Sequence, residues 1–203
     1  MRGFVGGYLV GPEVRALAIG VAGVVFLLAW VSAGMANAAE TIRIAVIDPF
    51  SGPAALQGEM GSRHTQMAVD EINARGGVLG GARLELVLFD NKTSPQESLV
   101  VLKQAIDQDI RLITQGVGSH VAHALGEAVV KYNQRNPGRE ILYLNNGATD
   151  TPLTEEKCNF WHFRFDANLD MKIDALTGVL TTQKSVKKLY MINQDYAYGH
   201  SFR

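Results

Sequence analysis

The residues best suited to binding a small charged molecule form a short loop, Gly116-Val117-Gly118-Ser119. An apolar segment typical of a strand precedes the loop and an amphipathic segment typical of a helix follows it. Its backbone N–H groups and the Ser119 hydroxyl would therefore lie at a helix N-terminus, where unpaired N–H groups and the helix dipole favour a carboxylate. The alternative is that Ser119 only caps the helix.

A second loop, Asn145 to Asp150, follows the next predicted strand. It offers the carbonyl of Gly147 and the hydroxyl of Thr149, which are acceptors suited to an ammonium group. The alternative is an ordinary turn held by Asx and Thr hydrogen bonds. A donor site and an acceptor site at neighbouring strand ends together predict a receptor for a zwitterion such as an α-amino acid.

Motifs of catalysis and of cofactor binding are weak or missing. Gly116 and Gly118 begin a dinucleotide-type pattern, but Val121 stands where the third glycine belongs. Ser119 and His120 are adjacent on a predicted helix and so point apart. We interpret His120 and His123 as solvated surface histidines without a third metal ligand. The sequence therefore predicts no cofactor, no metal and no enzymatic activity.

Composition narrows the class of protein further. The 203 residues are 47% hydrophobic and 19% charged, with a formal net charge of -1, which excludes a disordered chain and a strongly cationic nucleic-acid-binding surface. Cys158 is the single cysteine, so an intrachain disulfide and a cysteine-built zinc site are also excluded.

The N-terminus has the pattern of an export signal. Arg2 and Arg15 precede an uncharged apolar run over residues 16–31, and Ala36-Asn37-Ala38 follows it. A positive region, an apolar region and a small-residue A-x-A site predict a secretory signal peptide that is cleaved after Ala38. The alternative is an uncleaved membrane anchor, because the 24 residues 16–39 carry no charge and could span a bilayer.

Strand and helix patterns alternate through the rest of the chain, which predicts an α/β fold with a parallel sheet. In such sheets, ligands bind at the carboxyl ends of the strands, where both loops lie. The predicted strands are residues 41–47, 83–89, 112–114, 141–144, 160–165 and 189–192, and the predicted helices are residues 56–74, a helix that begins at Pro95, and residues 121–132 and 169–182.

Several motifs together resemble one family. They are Ile42-Arg43-Ile44-Ala45-Val46, the helix end at 68–78 with its double glycine, Gly147-Ala148-Thr149, Pro152-Leu153-Thr154 and residues 195–199. From Thr41 to Phe202 the chain resembles the periplasmic solute-binding proteins of branched-chain amino acid ABC transporters. The resemblance implies the type I periplasmic-binding-protein fold, in which two doubly wound α/β lobes close on the ligand.

The resemblance also implies which residues contact the ligand. Ser119 matches the serine that holds the ligand carboxylate. Gly147 and Thr149, with Ala148 between them, match positions that contact carboxylate and ammonium through backbone and hydroxyl groups. Tyr198 matches an aromatic residue of the second lobe that lines the cleft. Gln57 is a departure, since amino-acid-binding members often have a tyrosine there.

The resemblance implies a particular domain organisation. Residues 1–38 are expected to be the signal peptide, residues 39–165 the first lobe, and residues 166–203 the crossover and the start of an incomplete second lobe. We expect a periplasmic receptor that captures a branched-chain amino acid or a related small carboxylate and delivers it to an ABC permease. The 203-residue chain alone would then bind ligand poorly, because half of the cleft is missing.

Two other functions stay open at the level of sequence. One is an extracellular sensor domain of the same fold, tethered to the membrane by an uncleaved N-terminal helix. The other is an exported α/β enzyme, which would need a nucleophile or a metal that the motifs do not supply.

Overall fold

A computed structural model describes residues 41–183 and 185–201 of the chain. The predicted signal peptide and its cleavage site lie outside the described residues. Five parallel strands form one sheet in the order β2-β1-β3-β4-β5, which confirms the predicted α/β fold. The strands are β1 (Thr41–Asp48), β2 (Arg83–Asp90), β3 (Leu112–Gln115), β4 (Leu142–Asn145) and β5 (His162–Arg164).

Three helices connect the strands from β1 to β4, and two more follow β5. They are α1 (Ala55–Ala74), α2 (Pro95–Asp107), α3 (Ser119–Arg135), α4 (Leu169–Thr182) and α5 (Ala197–His200), with a 3₁₀ turn at Thr151–Thr154. Within the described part of the chain, none of these helices combines the length and apolarity that crossing a bilayer requires.

Local sequence signals explain where two of the helices begin and end. The Ser94 side chain accepts a hydrogen bond from the Glu97 N–H at the start of α2, and Pro95 occupies the first turn, as predicted. After α1, Gly76 and Gly77 have φ angles of 103° and 80°, a conformation that favours glycine. The double glycine therefore ends α1, as the sequence indicated.

The hydrophobic core lies between the sheet and the helices α2 and α3. Its centre is fully buried and consists of Ala45 and Ile47 of β1, Ile113 of β3, and Val121 and Leu125 of α3. Burial of such side chains contributes about 1.5–3 kcal/mol each for the larger ones. This core holds the strands in register and so fixes the positions of the loops at their carboxyl ends.

The register brings the two predicted ligand loops together. Gln115 at the end of β3 pairs with Asn145 at the end of β4. The following loops then approach so closely that a Cβ on Gly147 would lie 3.1 Å from the Gly116 carbonyl oxygen. Glycine is needed at this contact because a side chain would push the loops apart.

Beyond one-residue shifts at element ends, three sequence predictions about elements differ from the structure. Strand β5 covers only His162–Arg164 of the predicted 160–165. The segment 189–192 is not a strand: it is fully exposed and pairs with no strand of the described residues. An apolar segment does not form a strand without a neighbour to take its hydrogen bonds. Helix α3 is longer at both ends than the predicted 121–132, because the loop before it turns directly into the helix at Ser119.

Candidate functional site

All five predicted ligand residues line one cavity of about 260 Å³ at the carboxyl edge of the sheet. Ser119 enters it from the first turn of α3, and Tyr198 comes from α5. The loop after β4 supplies the other three, which are Gly147, Ala148 and Thr149. The structure thus gathers at one place residues that are 79 positions apart in the chain, from Ser119 to Tyr198.

A buried carboxyl group at the end of β1 holds the loop before α3 in place. Asp48 Oδ1 accepts hydrogen bonds from the N–H groups of Gly116 (3.1 Å) and Val117 (2.9 Å). Two of the four N–H groups expected to face a ligand are therefore already bonded. The donors left for an anion are those in the first turn of α3, beginning at Ser119, where a helix has no internal acceptor for them.

Burial strongly affects Asp48 itself. The residue is 2% exposed, and this burial raises the pKa of its carboxyl group to about 6, while the bonds from Val117 and Gly116 lower the pKa by less. A buried charge is costly unless donors compensate for it. The group therefore titrates close to neutral pH although it is an aspartic acid.

A second buried network holds the same loop from the neighbouring strands. The Tyr143 hydroxyl donates to Gln115 Oε1 (2.5 Å), and Gln115 Nε2 donates to the Val117 carbonyl (2.6 Å). Complete burial raises the pKa of Tyr143 well above its usual value, so the hydroxyl keeps its proton and remains a donor. The loop conformation thus depends on side chains that do not line the cavity.

Ser119 does not cap α3, contrary to one of the two interpretations of the loop. The capping position is Gly118, at φ 94°, and no side-chain hydrogen bond caps the helix. The Ser119 oxygen instead accepts a hydrogen bond from the Asp150 N–H at 3.3 Å. A hydroxyl that accepts in this way keeps its own hydrogen for donation to a ligand.

The loop after β4 is an Asx turn that still presents acceptors. Asn145 Oδ1 accepts from the N–H groups of Gly147 (3.1 Å) and Ala148 (2.8 Å), and its amide donates to the Ala148 carbonyl (2.8 Å). The Thr149 carbonyl accepts from the Leu169 N–H. Within residues 41–183 and 185–201, the Gly147 carbonyl and the Thr149 hydroxyl have no partner. The Asx turn is therefore confirmed, the predicted Thr hydrogen bond is not observed, and the acceptor site for an ammonium stays a prediction.

Aromatic rings form the wall of the cavity that faces these loops. Tyr196 and Tyr198 lie with their ring centroids 6.2 Å apart, and both line the cavity. His120 packs edge-on against Tyr196 with centroids 4.9 Å apart, and its Nε2 bonds to the Thr93 carbonyl at 2.9 Å. The interpretation of His120 as a solvated surface residue is therefore wrong, since tertiary contacts half-bury it.

His123 is likewise not a solvated surface residue. Its Nε2 lies 2.5 Å from Asp150 Oδ2, and the two side chains are only 16% and 6% exposed. A carboxylate can only accept, so Nε2 carries the proton in this bond. His162, which sequence patterns left as an isolated histidine, is also buried and packs against the Tyr143 ring at 4.7 Å.

Charge inside the cavity is sparse. Lys172 is the one charged side chain among the described residues that line it, and its ammonium bonds to Asp166 Oδ2 at 2.5 Å. Gln57, the departure from the resembled family, also lines the cavity. N–H groups, a hydroxyl, a carbonyl and two aromatic rings suit a small molecule that carries a carboxylate and an ammonium.

The described residues also form other cavities that are larger than this one. One of about 380 Å³ lies behind the loop before α3 and is lined in part by Asp48 and His64. A larger one of about 420 Å³ lies between α3 and residues 153–162 and contains none of the predicted ligand residues. Among the described residues, no cluster of His, Cys, Asp or Glu has the arrangement of a metal site.

Sequence reasoning missed several residues that shape the cavity. The sequence could have indicated Asp48, because this residue ends a strand on the edge where the ligand loops lie. It indicated Tyr196 more weakly, by its place two positions before Tyr198. Lys172, Gln115 and Tyr143 had no such signal, since Tyr143 contacts Gln115 across 28 residues and Lys172 reaches the cavity from α4, far along the chain from both predicted loops.

Known proteins share both the sequence pattern and this fold. A family model described as "Periplasmic binding protein" matches residues 41–203. A Leu/Ile/Val-binding protein homolog 4 from Brucella abortus is 36% identical over 169 residues, which are 82% of this chain and 40% of that protein. A leucine-, isoleucine-, valine-, threonine- and alanine-binding protein from Pseudomonas aeruginosa is 35% identical over 122 residues, covering 60% of this chain and 31% of that protein.

A solved structure gives the same answer at the level of fold. The closed conformation of a leucine-, isoleucine-, valine-, threonine- and alanine-binding protein from Brucella ovis superimposes with a TM-score of 0.71 and 35% identity. That comparison covers 80% of this chain and 42% of the other, so the chain spans about two fifths of the length of its relatives. The match over residues 41–203 and the shared fold establish that this chain belongs to the periplasmic binding protein family.

Proposed function

We propose that the protein is a periplasmic receptor that captures a branched-chain amino acid, or a related small carboxylate, and delivers it to an ABC permease. The observation that carries the proposal is the convergence of Ser119, the Gly147–Thr149 loop and Tyr198 on one cavity. Relatives named as Leu/Ile/Val-binding proteins support the ligand class.

The cavity supports a different role for each of its two loops, one binding the carboxylate of the ligand and the other its ammonium group. The ligand carboxylate would accept hydrogen bonds from the Ser119 hydroxyl and from N–H groups in the first turn of α3. The ammonium would donate to the Gly147 carbonyl and the Thr149 hydroxyl. Tyr198, beside Tyr196, would contact the apolar side chain, since aromatic faces bury such groups well. The role is binding and release, without a covalent step.

The domain organisation and the route to the periplasm are part of the same proposal. Residues 1–38 would be removed as a signal peptide, residues 39–165 would form the first lobe, and residues 166–203 would begin the second. The apolar run and the A-x-A site of the N-terminal sequence support cleavage after Ala38. A sensor of the same fold that keeps its N-terminal helix is the second candidate.

Replacement of the serine tests the carboxylate site. In a full-length version of the protein, we expect Ser119→Ala to weaken the binding of L-leucine by about ten- to a hundredfold in calorimetric titration, since a hydrogen bond to a charged group contributes about 1.5–3 kcal/mol. Ser98→Ala is the matched control, because Ser98 is buried in the first turns of α2 and donates to the Ser94 carbonyl outside the cavity. Equal affinities for Ser119→Ala and the parent protein would overturn the assignment.

A further inference from the structure

Asp150 forms hydrogen bonds to residues from several different elements around the cavity. It is 4% exposed and follows Thr149 directly. Its carboxylate accepts from His123 Nε2 at 2.5 Å and from the Ser201 hydroxyl, and its backbone N–H donates to Ser119 Oγ at 3.3 Å. One residue thus contacts the first two turns of α3 and the residue that follows α5.

The partners of Asp150 belong to opposite walls of the cavity. Ser119 lies on the wall that would hold the ligand carboxylate. Ser201 comes directly after α5, and its N–H bonds to the Ala197 carbonyl at 3.1 Å, so it continues the segment that carries Tyr196 and Tyr198. The hydroxyl bond from Ser201 therefore ties the aromatic wall to the residue that orients the Ser119 oxygen.

We propose that Asp150 is a positioning residue whose carboxylate couples the aromatic wall, through Ser201, to the Ser119 side of the cavity. The proposal rests on the proposed function, because it concerns how the same cavity holds its ligand. A buried carboxylate forms strong hydrogen bonds and is costly when it lacks donors. Separation of the two walls would remove the Ser201 donor from Oδ1, so the closed arrangement gains a contact that the open one lacks.

The second carboxylate oxygen, Oδ2, holds the Asp150 side chain in place whether or not Ser201 is bonded to Oδ1. His123 lies on α3 and holds Oδ2, and Arg164 Nη1 donates to the Asp150 carbonyl at 2.9 Å. Both contacts belong to the sheet side of the molecule and do not depend on α5. A ligand that bridges the walls therefore shifts the population towards the arrangement in which Ser201 and Asp150 are bonded.

Substitutions at the two ends of the bond test the coupling. In a full-length version of the protein, we expect Ser201→Ala to weaken L-leucine binding about tenfold, which is the effect of losing one hydrogen bond to a charged group. Asp150→Ala should weaken it at least as much, and the double variant should be no weaker than Asp150→Ala alone. Asp150→Asn keeps an oxygen for the Ser201 hydroxyl and should retain most of the affinity, while the non-additivity of the double variant is the result that a general packing role would not predict.

A measurement without ligand separates this proposal from the proposed function. In the unliganded protein, amide hydrogen exchange over 196–201 should be faster in Ser201→Ala than in the parent and unchanged in Ser185→Ala, whose serine is exposed after α4. If exchange is faster in Ser201→Ala but the parent does not bind leucine, the proposed ligand is wrong and the proposed coupling stands. Parental exchange and parental affinity in Ser201→Ala would overturn the coupling, even where Asp150→Ala fails to fold.

Discussion

Asp48 shows how a single buried group makes the stability of this protein depend on pH. The folded-state pKa of about 6 lies above the ordinary value of 3.8, so the folded chain holds the proton more tightly than the unfolded chain. Stability from this group is therefore complete below about pH 4 and is lost as the pH rises through 6. The loss amounts to at most about 3 kcal/mol, the equivalent of a shift of about two pKa units.

Removing the charge at Asp48 should remove this pH dependence. We expect Asp48→Asn, which keeps an oxygen for the Gly116 and Val117 N–H groups, to lose less free energy of unfolding than the parent between pH 4 and 7. Urea denaturation at several pH values measures the difference. Asp174→Asn, at an exposed position of α4, is the control and should follow the parent. Parallel profiles for parent and Asp48→Asn would refute the role of this group.

At the scale of elements, two glycines of α1 have opposite effects although they are one turn apart. A Cβ on Gly58 would lie 1.9 Å from the Pro49 carbonyl oxygen, whereas a Cβ on Gly61 would meet nothing within 4 Å. Gly58 therefore lets α1 pack closely against the loop after β1. Gly61 only adds backbone freedom to the unfolded chain.

Alanine at each position should reveal this contrast. We expect Gly58→Ala to lower the free energy of unfolding by about 1–3 kcal/mol, because the backbone must shift to admit the methyl group. Gly61→Ala should raise it by about 0.5–1 kcal/mol, since alanine favours a helix interior. Denaturant unfolding of both variants gives the values, and a change of the same sign in both would contradict the packing argument.

Most of the elements could be predicted, because each carries its own local pattern. Helix α4 was predicted with its observed ends, and β1 differs by one residue at Asp48. The strand predicted at 189–192 failed because a strand depends on a partner elsewhere in the chain. His120 and His123 failed for the same kind of reason, since the surfaces that bury them come from Thr93, Tyr196 and Asp150.

The candidate site was predictable to a lesser depth than the fold. The loops after β3 and β4 could be located because parallel strands place their carboxyl ends on one edge. The sequence could not predict which loop N–H groups stay available to a ligand, because Asp48 bonds to two of them from 68 and 69 positions away in the chain. Position along the chain shows which groups meet, but not which are already bonded.

At the scale of the whole molecule, the exposure of side chains changes along the chain. The sheet and its helices bury a continuous core, whereas residues 185–195 are exposed throughout, with Tyr190 and Ile192 at 90% and 98%. Side chains this apolar normally lie inside a protein or an interface.

The N-terminus of the mature protein decides between a free receptor and a tethered sensor. We expect N-terminal sequencing of the protein from the periplasm to begin at Ala39, because the protease reads the small residues Ala36 and Ala38. A chain that keeps its apolar segment and sediments with membranes would favour the sensor. A substitution of Ala38 by a bulky residue should block cleavage and serves as the control.

The central position of β1 in the sheet also affects when the chain can fold. Ile44 pairs with Leu86 on one side and with Leu112 on the other, 42 and 68 residues further along the chain. Closing loops of that length is slow compared with forming a helix. Strand β1 is synthesised before both of its partners, so its pairing in the sheet is completed late. A growing chain therefore stays unfolded until β3 has been made. In that interval an export machinery could translocate it.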